Sequence, residues 1–156
     1  MRTLAGLVAP AGVMAVVKAD AYNHGMADVA RTAVEAGAAE LGVATLGEAL
    51  ALRAAGVCAP VNAWIWIVGE DLRGAAEQDI TLGIPSLAHL EAAVTTAAGS
   101  AEAGRPLKVG LMVDTGLSRS GISPTEWPAA LDAAEAAVDA GLIDVTGLFS
   151  HFASAD

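Results

Sequence analysis

Cysteine, aromatic residues, positive charge and long apolar runs are all scarce in this chain of 156 residues. Its single cysteine, Cys58, allows neither an intramolecular disulfide nor a multi-cysteine metal site, and we expect no metal. Eight lysines and arginines against 18 aspartates and glutamates give a formal net charge of −10. Without a basic cluster the chain offers no surface for a phosphate backbone, so we expect no nucleic-acid partner. One cysteine also fits a reducing compartment, and the expected location is the cytoplasm.

No apolar run approaches the roughly 20 residues that span a bilayer, although the mean hydropathy is +0.53. Much of this hydropathy comes from alanine, which favours helices. The N-terminal segment lacks the uninterrupted apolar stretch of a secretory signal, because Gly6, Pro10 and Gly12 interrupt it. We therefore expect neither a membrane partner nor a targeting segment.

Short β-rich runs alternate with alanine-rich stretches of helical character, and no Asn-Gly hairpin signal interrupts the alternation. The predicted strands are residues 13–18, 41–44, 61–68, 80–84, 109–113 and 145–149, and the main predicted helices are residues 26–36, 46–55, 86–98 and 125–140. Six successive alternations of strand and helix predict a parallel α/β sheet. A complete (β/α)8 barrel typically has about 250 residues, so we predict an incomplete TIM-type barrel.

Polar residues at the ends of the predicted strands carry the candidate chemistry, as is usual in parallel α/β folds. Lys18 ends the first predicted strand, where partial burial would lower the pKa of its amine and favour a nucleophilic or Schiff-base lysine. The alternative is a lysine that extends its amine into solvent. Away from the strand ends, Trp64 and Trp66 share one face of the third predicted strand and are expected to serve packing rather than recognition. His89 is expected to face solvent.

Three motifs resemble those of the bacterial alanine racemases, in the same order along the chain. Residues 18–25, Lys-Ala-Asp-Ala-Tyr-Asn-His-Gly, resemble the pyridoxal-phosphate (PLP) lysine motif of that family. Residues 114–121, Asp-Thr-Gly-Leu-Ser-Arg-Ser-Gly, resemble its Asp-Thr-Gly-(Met/Leu)-x-Arg-x-Gly loop. Residues 150–156, Ser-His-Phe-Ala-Ser-Ala-Asp, resemble its (Thr/Ser)-His-Phe-Ala-(Thr/Ser)-Ala-Asp segment. The resemblance spans nearly the whole chain.

The resemblance implies interconversion of L-alanine and D-alanine by two-base proton transfer on PLP. Lys18 would form the internal aldimine and act as one of the two bases, and Tyr22 would contact the cofactor phosphate. Arg119 would lie near the phenolic oxygen of the cofactor and the substrate carboxylate. His151 would pack against the pyridine ring. The competing interpretations are a core aromatic for Tyr22, a solvated loop arginine for Arg119 and a core histidine for His151.

Two positions depart from the family pattern. Met112 stands where the family often carries a carbamylated lysine, which leaves Arg119 without that anionic partner. Asn23 replaces a usual glycine, and asparagine tolerates left-handed backbone better than most residues. Asp20 and Asp114 are expected to orient loop amides rather than to transfer protons.

The resemblance also implies a second base, a tyrosine from a C-terminal β-domain that acts across a homodimer interface. By the resemblance, we expect residues 1–156 to be the N-terminal portion of the barrel domain, without the β-domain. Because the only tyrosine, Tyr22, has another role there, we expect the chain by itself to be inactive as a racemase, with slow transamination or half-reaction exchange at best. Three alternatives stay open. They are a non-catalytic PLP-binding barrel protein, a racemase for another amino acid such as serine or a basic one, and an open-sheet fragment without cofactor.

Overall fold

The computed structural model describes residues 1–99 and 105–154. The chain divides into two compact units, Met1–Ile65 and Trp66–Asp156. Six parallel strands alternate with helices, as in an incomplete TIM-type barrel, which confirms the predicted fold class. The predicted loop at residues 99–106 falls largely on residues 100–104, which lie outside the described residues.

The first unit contains three parallel strands that pair in chain order. Its elements are α1 (Arg2–Val8), β1 (Met14–Val16), α2 (Lys18–Asn23), α3 (Met26–Glu35), β2 (Glu40–Thr45), α4 (Leu46–Ala54) and β3 (Val61–Ile65). Its core is aliphatic and includes Leu41, Val43, Ala49, Leu52, Val61 and Ala63.

Local sequence signals explain how two helices of this unit are delimited. Helix α3 ends just before Gly37, whose φ of 97° is a conformation that glycine adopts at little cost. Helix α4 begins with a capping box, in which the Thr45 hydroxyl accepts from the Glu48 amide and the Glu48 carboxylate accepts from the Thr45 amide. The capping box places Glu48 in the first turn of α4.

The second unit also contains three parallel strands in chain order. Its elements are α5 (Arg73–Glu77), β4 (Ile80–Ile84), α6 (Leu87–Gly99), β5 (Leu107–Val113), α7 (Trp127–Asp139) and β6 (Ile143–Ser150). Its core includes Leu82, Ile84, Leu90, Leu107, Val109 and Leu111. The last residues of β5 and β6 pair, Val113 with Ser150, so that the segments after these strands start side by side.

The histidine at the start of α6 corrects one prediction. His89 is half-buried rather than solvent-facing, and its ring nitrogens lie 2.8 Å from the Ser86 hydroxyl and 3.2 Å from the Trp66 carbonyl. Its ring packs edge-to-face against Trp66, at a centroid distance of 4.7 Å. The prediction was wrong because the first turn of α6 lies over Trp66, a contact that the helix pattern alone does not reveal.

The tryptophans pack against the protein, as predicted, but not from one strand. Strand β3 ends at Ile65, before the predicted end at residue 68. Trp64 lies over Gly42, where any Cβ would collide with the indole ring. Trp66 is buried and donates its indole N–H to the Gly83 carbonyl at 2.8 Å.

Candidate active site

Lys18 lies just past β1 rather than at its end. The predicted strand at residues 13–18 is shortened to Met14–Val16, and a last ladder bond runs from the Val17 amide to the Gly42 carbonyl at 2.8 Å. The Lys18 side chain is half-buried, and its amine makes no hydrogen bond or ion pair within the described part of the chain. An amine without such a partner is available to react with a carbonyl group.

The segment after Lys18, which lies between the first predicted strand and the first predicted helix, is a left-handed helical turn. Every residue from 19 to 23 has a positive φ, between 49° and 66°. L-residues pay about 1–2 kcal/mol each for this conformation, and such strain collects at functional sites. Asn23 was the one sequence signal for it, and its φ of 66° confirms that asparagine takes up the left-handed backbone there.

Tyr22 lies four residues after Lys18, within the left-handed run that begins at Ala19. Tyr22 is 75% exposed, which rules out the interpretation as a core aromatic. Its hydroxyl is therefore accessible to a ligand.

Two carboxylates hold the ends of the turn. Asp20 accepts a hydrogen bond from the Met26 amide at 2.7 Å, where α3 begins, in agreement with its predicted role. Glu48 accepts one from the Ala19 amide at 2.7 Å. Burial raises the pKa of the Glu48 carboxyl, but hydrogen bonds from backbone amides and the nearby Lys18 ammonium together outweigh it and lower that pKa.

In the second unit, residues 114–121 form a closed loop after β5 that carries Arg119. Asp114 accepts hydrogen bonds from the amides of Gly116 and Ser118 at 2.9 and 3.0 Å, as predicted, and these bonds lower the pKa of its carboxyl. The Asp114 amide donates to the Ile122 carbonyl and closes the loop at its base. The base of the loop requires glycine at position 121, because the Cβ of any other residue would lie only 2.6 Å from the Asp114 nitrogen.

Arg119 and His151 both face solvent in the described structure. The Arg119 guanidinium makes no ion pair with a described residue, and the half-buried Met112 side chain of β5 is uncharged. The Thr115 and Ser150 hydroxyls lie 2.6 Å apart and tie the Arg119 loop to the end of β6. His151 follows directly and is exposed, so it is not a core histidine.

The candidate residues of each unit fit the chemistry of PLP binding. The first unit supplies an amine without a partner and an exposed hydroxyl, and the second supplies an exposed guanidinium and an imidazole at adjacent strand ends. The described residues contain no cluster of three potential metal ligands. None of the described helices is long and apolar enough to span a membrane.

Parallel strands with polar, ligand-accessible segments after their C-terminal ends define a barrel-type α/β enzyme scaffold. The family model "Alanine racemase, N-terminal domain" matches residues 1–156. The chain belongs to this family.

Individual relatives agree with the family assignment. The alanine racemase of Mycolicibacterium smegmatis is 50% identical over 156 residues, which are 100% of this chain and 39% of that protein. The crystal structure of alanine racemase from Streptomyces lavendulae superposes with a TM-score of 0.93 at 43% identity, covering 99% of this chain and 40% of that one. A histidine racemase from Leuconostoc mesenteroides superposes with a TM-score of 0.86 at 34% identity, covering 98% and 40%. The chain thus spans about 40% of the length of these relatives.

Proposed function

We propose that the chain serves a PLP-dependent racemase that interconverts L- and D-alanine, with residues 1–156 as the N-terminal part of its barrel domain. The observation that carries this proposal is Lys18, whose amine makes no hydrogen bond or ion pair with a described residue and which lies at the entrance of a strained left-handed turn. Membership of the alanine racemase family supports it. The substrate is then a small amino acid.

In this proposal the first unit binds the cofactor and moves a proton. Lys18 would hold PLP and would exchange a proton with the α-carbon of the substrate. The Tyr22 hydroxyl would donate a hydrogen bond to the cofactor phosphate. When bound, PLP would withdraw electrons from the α-carbon and make its proton acidic.

Arg119 and His151 belong to the second unit, and their proposed roles come from the family resemblance. The Arg119 guanidinium would pair with a substrate carboxylate, because its planar donors match two carboxylate oxygens. The His151 ring would pack against an aromatic ring of the cofactor. Because Met112 cannot carry a carbamate, Arg119 would lack the anionic partner that positions it in much of the family.

The two lysines of the chain provide a matched test of this assignment. Lys108 forms an ion pair with Asp79 at 2.9 Å, whereas Lys18 has no such partner in the described residues. After incubation with PLP, borohydride reduction and peptide mapping, we expect the label on Lys18 in the wild-type and Lys108→Ala chains. We expect no label in Lys18→Ala. Equal labelling of both lysines, or none, would contradict the proposal.

A racemase for another amino acid is the second candidate function. The 34% identity to a histidine racemase favours it, because that protein shares the fold over 98% of this chain. Deuterium exchange at the α-carbon of alanine, serine, histidine and lysine by the PLP-loaded chain would separate the two. Exchange fastest with alanine supports the first candidate, and a chain that binds PLP but exchanges none of them is a non-catalytic binder.

A further inference from the structure

One carboxylate, that of Glu48, joins two elements of the first unit. Its Oε1 atom accepts from the Ala19 amide at 2.7 Å, and its Oε2 atom accepts from the amides of Ala44 and Thr45 at 2.8 and 3.1 Å. Helix capping explains only the Oε2 side, since a capping box needs one bond from the N3 carboxylate to the N-cap amide. The bond to Ala19 serves a segment 29 residues away in the sequence.

The orientation of the Ala19 amide affects the backbone conformation of both Lys18 and Ala19. This amide belongs to the peptide unit that joins Lys18 to the left-handed residues, and a peptide unit is planar. A hydrogen bond that fixes its N–H therefore restricts both ψ of Lys18 and φ of Ala19. The left-handed backbone of residues 19–23 is unfavourable for L-residues, so it persists only where contacts with the rest of the fold stabilise it.

The two ends of the turn are held differently. At its exit, Asp20 reaches forward only six residues to the Met26 amide. At its entrance, the Val17 amide is paired with β2, and Glu48 supplies the next contact from outside the segment. Glu48 is thus the described side chain that connects the backbone beside Lys18 to the body of the unit.

We propose that Glu48 is a positioning residue for Lys18, whose carboxylate holds the Lys18–Ala19 peptide in the orientation that presents the lysine amine to the cofactor. The inference rests on the proposed function, because it takes Lys18 as the PLP lysine. Glu48 itself touches neither cofactor nor substrate. It acts through its hydrogen bond from the Ala19 amide, and its charge also attracts the nearby Lys18 ammonium.

The test compares three variants of the chain by PLP titration, with borohydride-fixed occupancy of Lys18 as the readout. Glu48→Ala removes all three amide contacts, and Glu48→Gln keeps one acceptor oxygen. Thr45→Ala is the matched control, because it deletes the hydroxyl of the same capping box and leaves the bond from Ala19 to Glu48 in place. We expect the apparent Kd for PLP to rise about 10-fold in Glu48→Ala, equivalent to ~1.4 kcal/mol, less in Glu48→Gln, and little in Thr45→Ala.

A cofactor-free measurement accompanies the titration. Amide hydrogen exchange of the peptide that contains Ala19 should quicken in both Glu48 variants and not in Thr45→Ala. If PLP occupancy follows the thermal stability of the variants instead of the Ala19 contact, the role is merely structural and the inference is wrong. If the wild-type chain itself leaves Lys18 unlabelled, the proposed function fails, whereas normal labelling in Glu48→Ala overturns the positioning role alone.

Discussion

Single carboxylates bind backbone amides in the segments after β1 and β5, which carry Lys18 and Arg119. Asp20 and Asp114 were predicted to orient loop amides, and each accepts from amides in its own loop. Their short reach made this predictable, since aspartate commonly bonds to amides a few residues ahead. The contact between Glu48 and Ala19 was not predictable in this way, because no local pattern pairs residues 29 positions apart.

These carboxylates should make the folded chain sensitive to acid. The pKa values of Glu48 and Asp114 are lower in the folded chain than their ordinary values of 4.5 and 3.8, and Arg73 lowers that of Asp71 to about 2. The unfolded chain therefore binds more protons in this range. Their contribution to stability is fully present above about pH 5 and is lost as the pH falls through the ordinary values toward 2.

The variant Asp114→Asn tests this at one residue. We expect its free energy of unfolding, from urea titrations between pH 6 and about pH 2.5, to fall less steeply with acid than that of the wild type. Asp132→Asn, which changes an exposed carboxylate on α7, controls for the loss of one charge. If the free energy of unfolding of Asp114→Asn falls with acid as steeply as that of the wild type, the Asp114 hydrogen bonds do not contribute to the pH dependence of stability.

At the level of elements, the left-handed turn is the feature that sequence reasoning missed. Periodicity distinguishes strand from helix, but it is blind to the sign of φ, and alanine normally indicates a right-handed helix. Tertiary contacts from β2 and α4 override that preference here. The predicted C-terminal end of β1 is wrong for a related reason, since the sequence pattern does not show where the extended backbone stops. The apolar run continues to Val17, but the strand ends at Val16.

The same substitution in two helical settings should have opposite effects. Ala19→Gly relieves about 1–2 kcal/mol of left-handed strain and costs about 0.4–1 kcal/mol of unfolded-state entropy, so we expect a net stabilisation of roughly 0.5–1 kcal/mol. Ala136→Gly, at an exposed position of the right-handed helix α7, should destabilise by about 1 kcal/mol. Urea denaturation of both variants measures the two effects. A loss of stability in Ala19→Gly that equals that in Ala136→Gly would show that the turn is not strained.

At the level of the whole molecule, the order and type of the main elements were predictable from the sequence because the alternation of strand and helix is regular. Strand β4 has the predicted bounds, residues 80–84, and the other strands differ by a few residues at their ends. Exposed residues at the site could be named only through the motifs. Neither Arg119 nor His151 stands out by burial or periodicity, since both lie in segments without regular structure.

The number of bases in the chain leads to a final prediction, which concerns stereochemistry. Tyr22 is the only tyrosine, and its proposed role is to bind phosphate, so Lys18 is the one residue of the chain to which the proposed function assigns α-proton transfer. A single base reaches one face of the bound amino acid. The PLP-loaded chain in deuterated water should therefore exchange the α-proton of one alanine enantiomer, at a rate that Lys18→Ala abolishes, and should produce little of the opposite enantiomer. Chiral chromatography with mass spectrometry measures both quantities, and rapid interconversion of the two enantiomers would require a second base within residues 1–156.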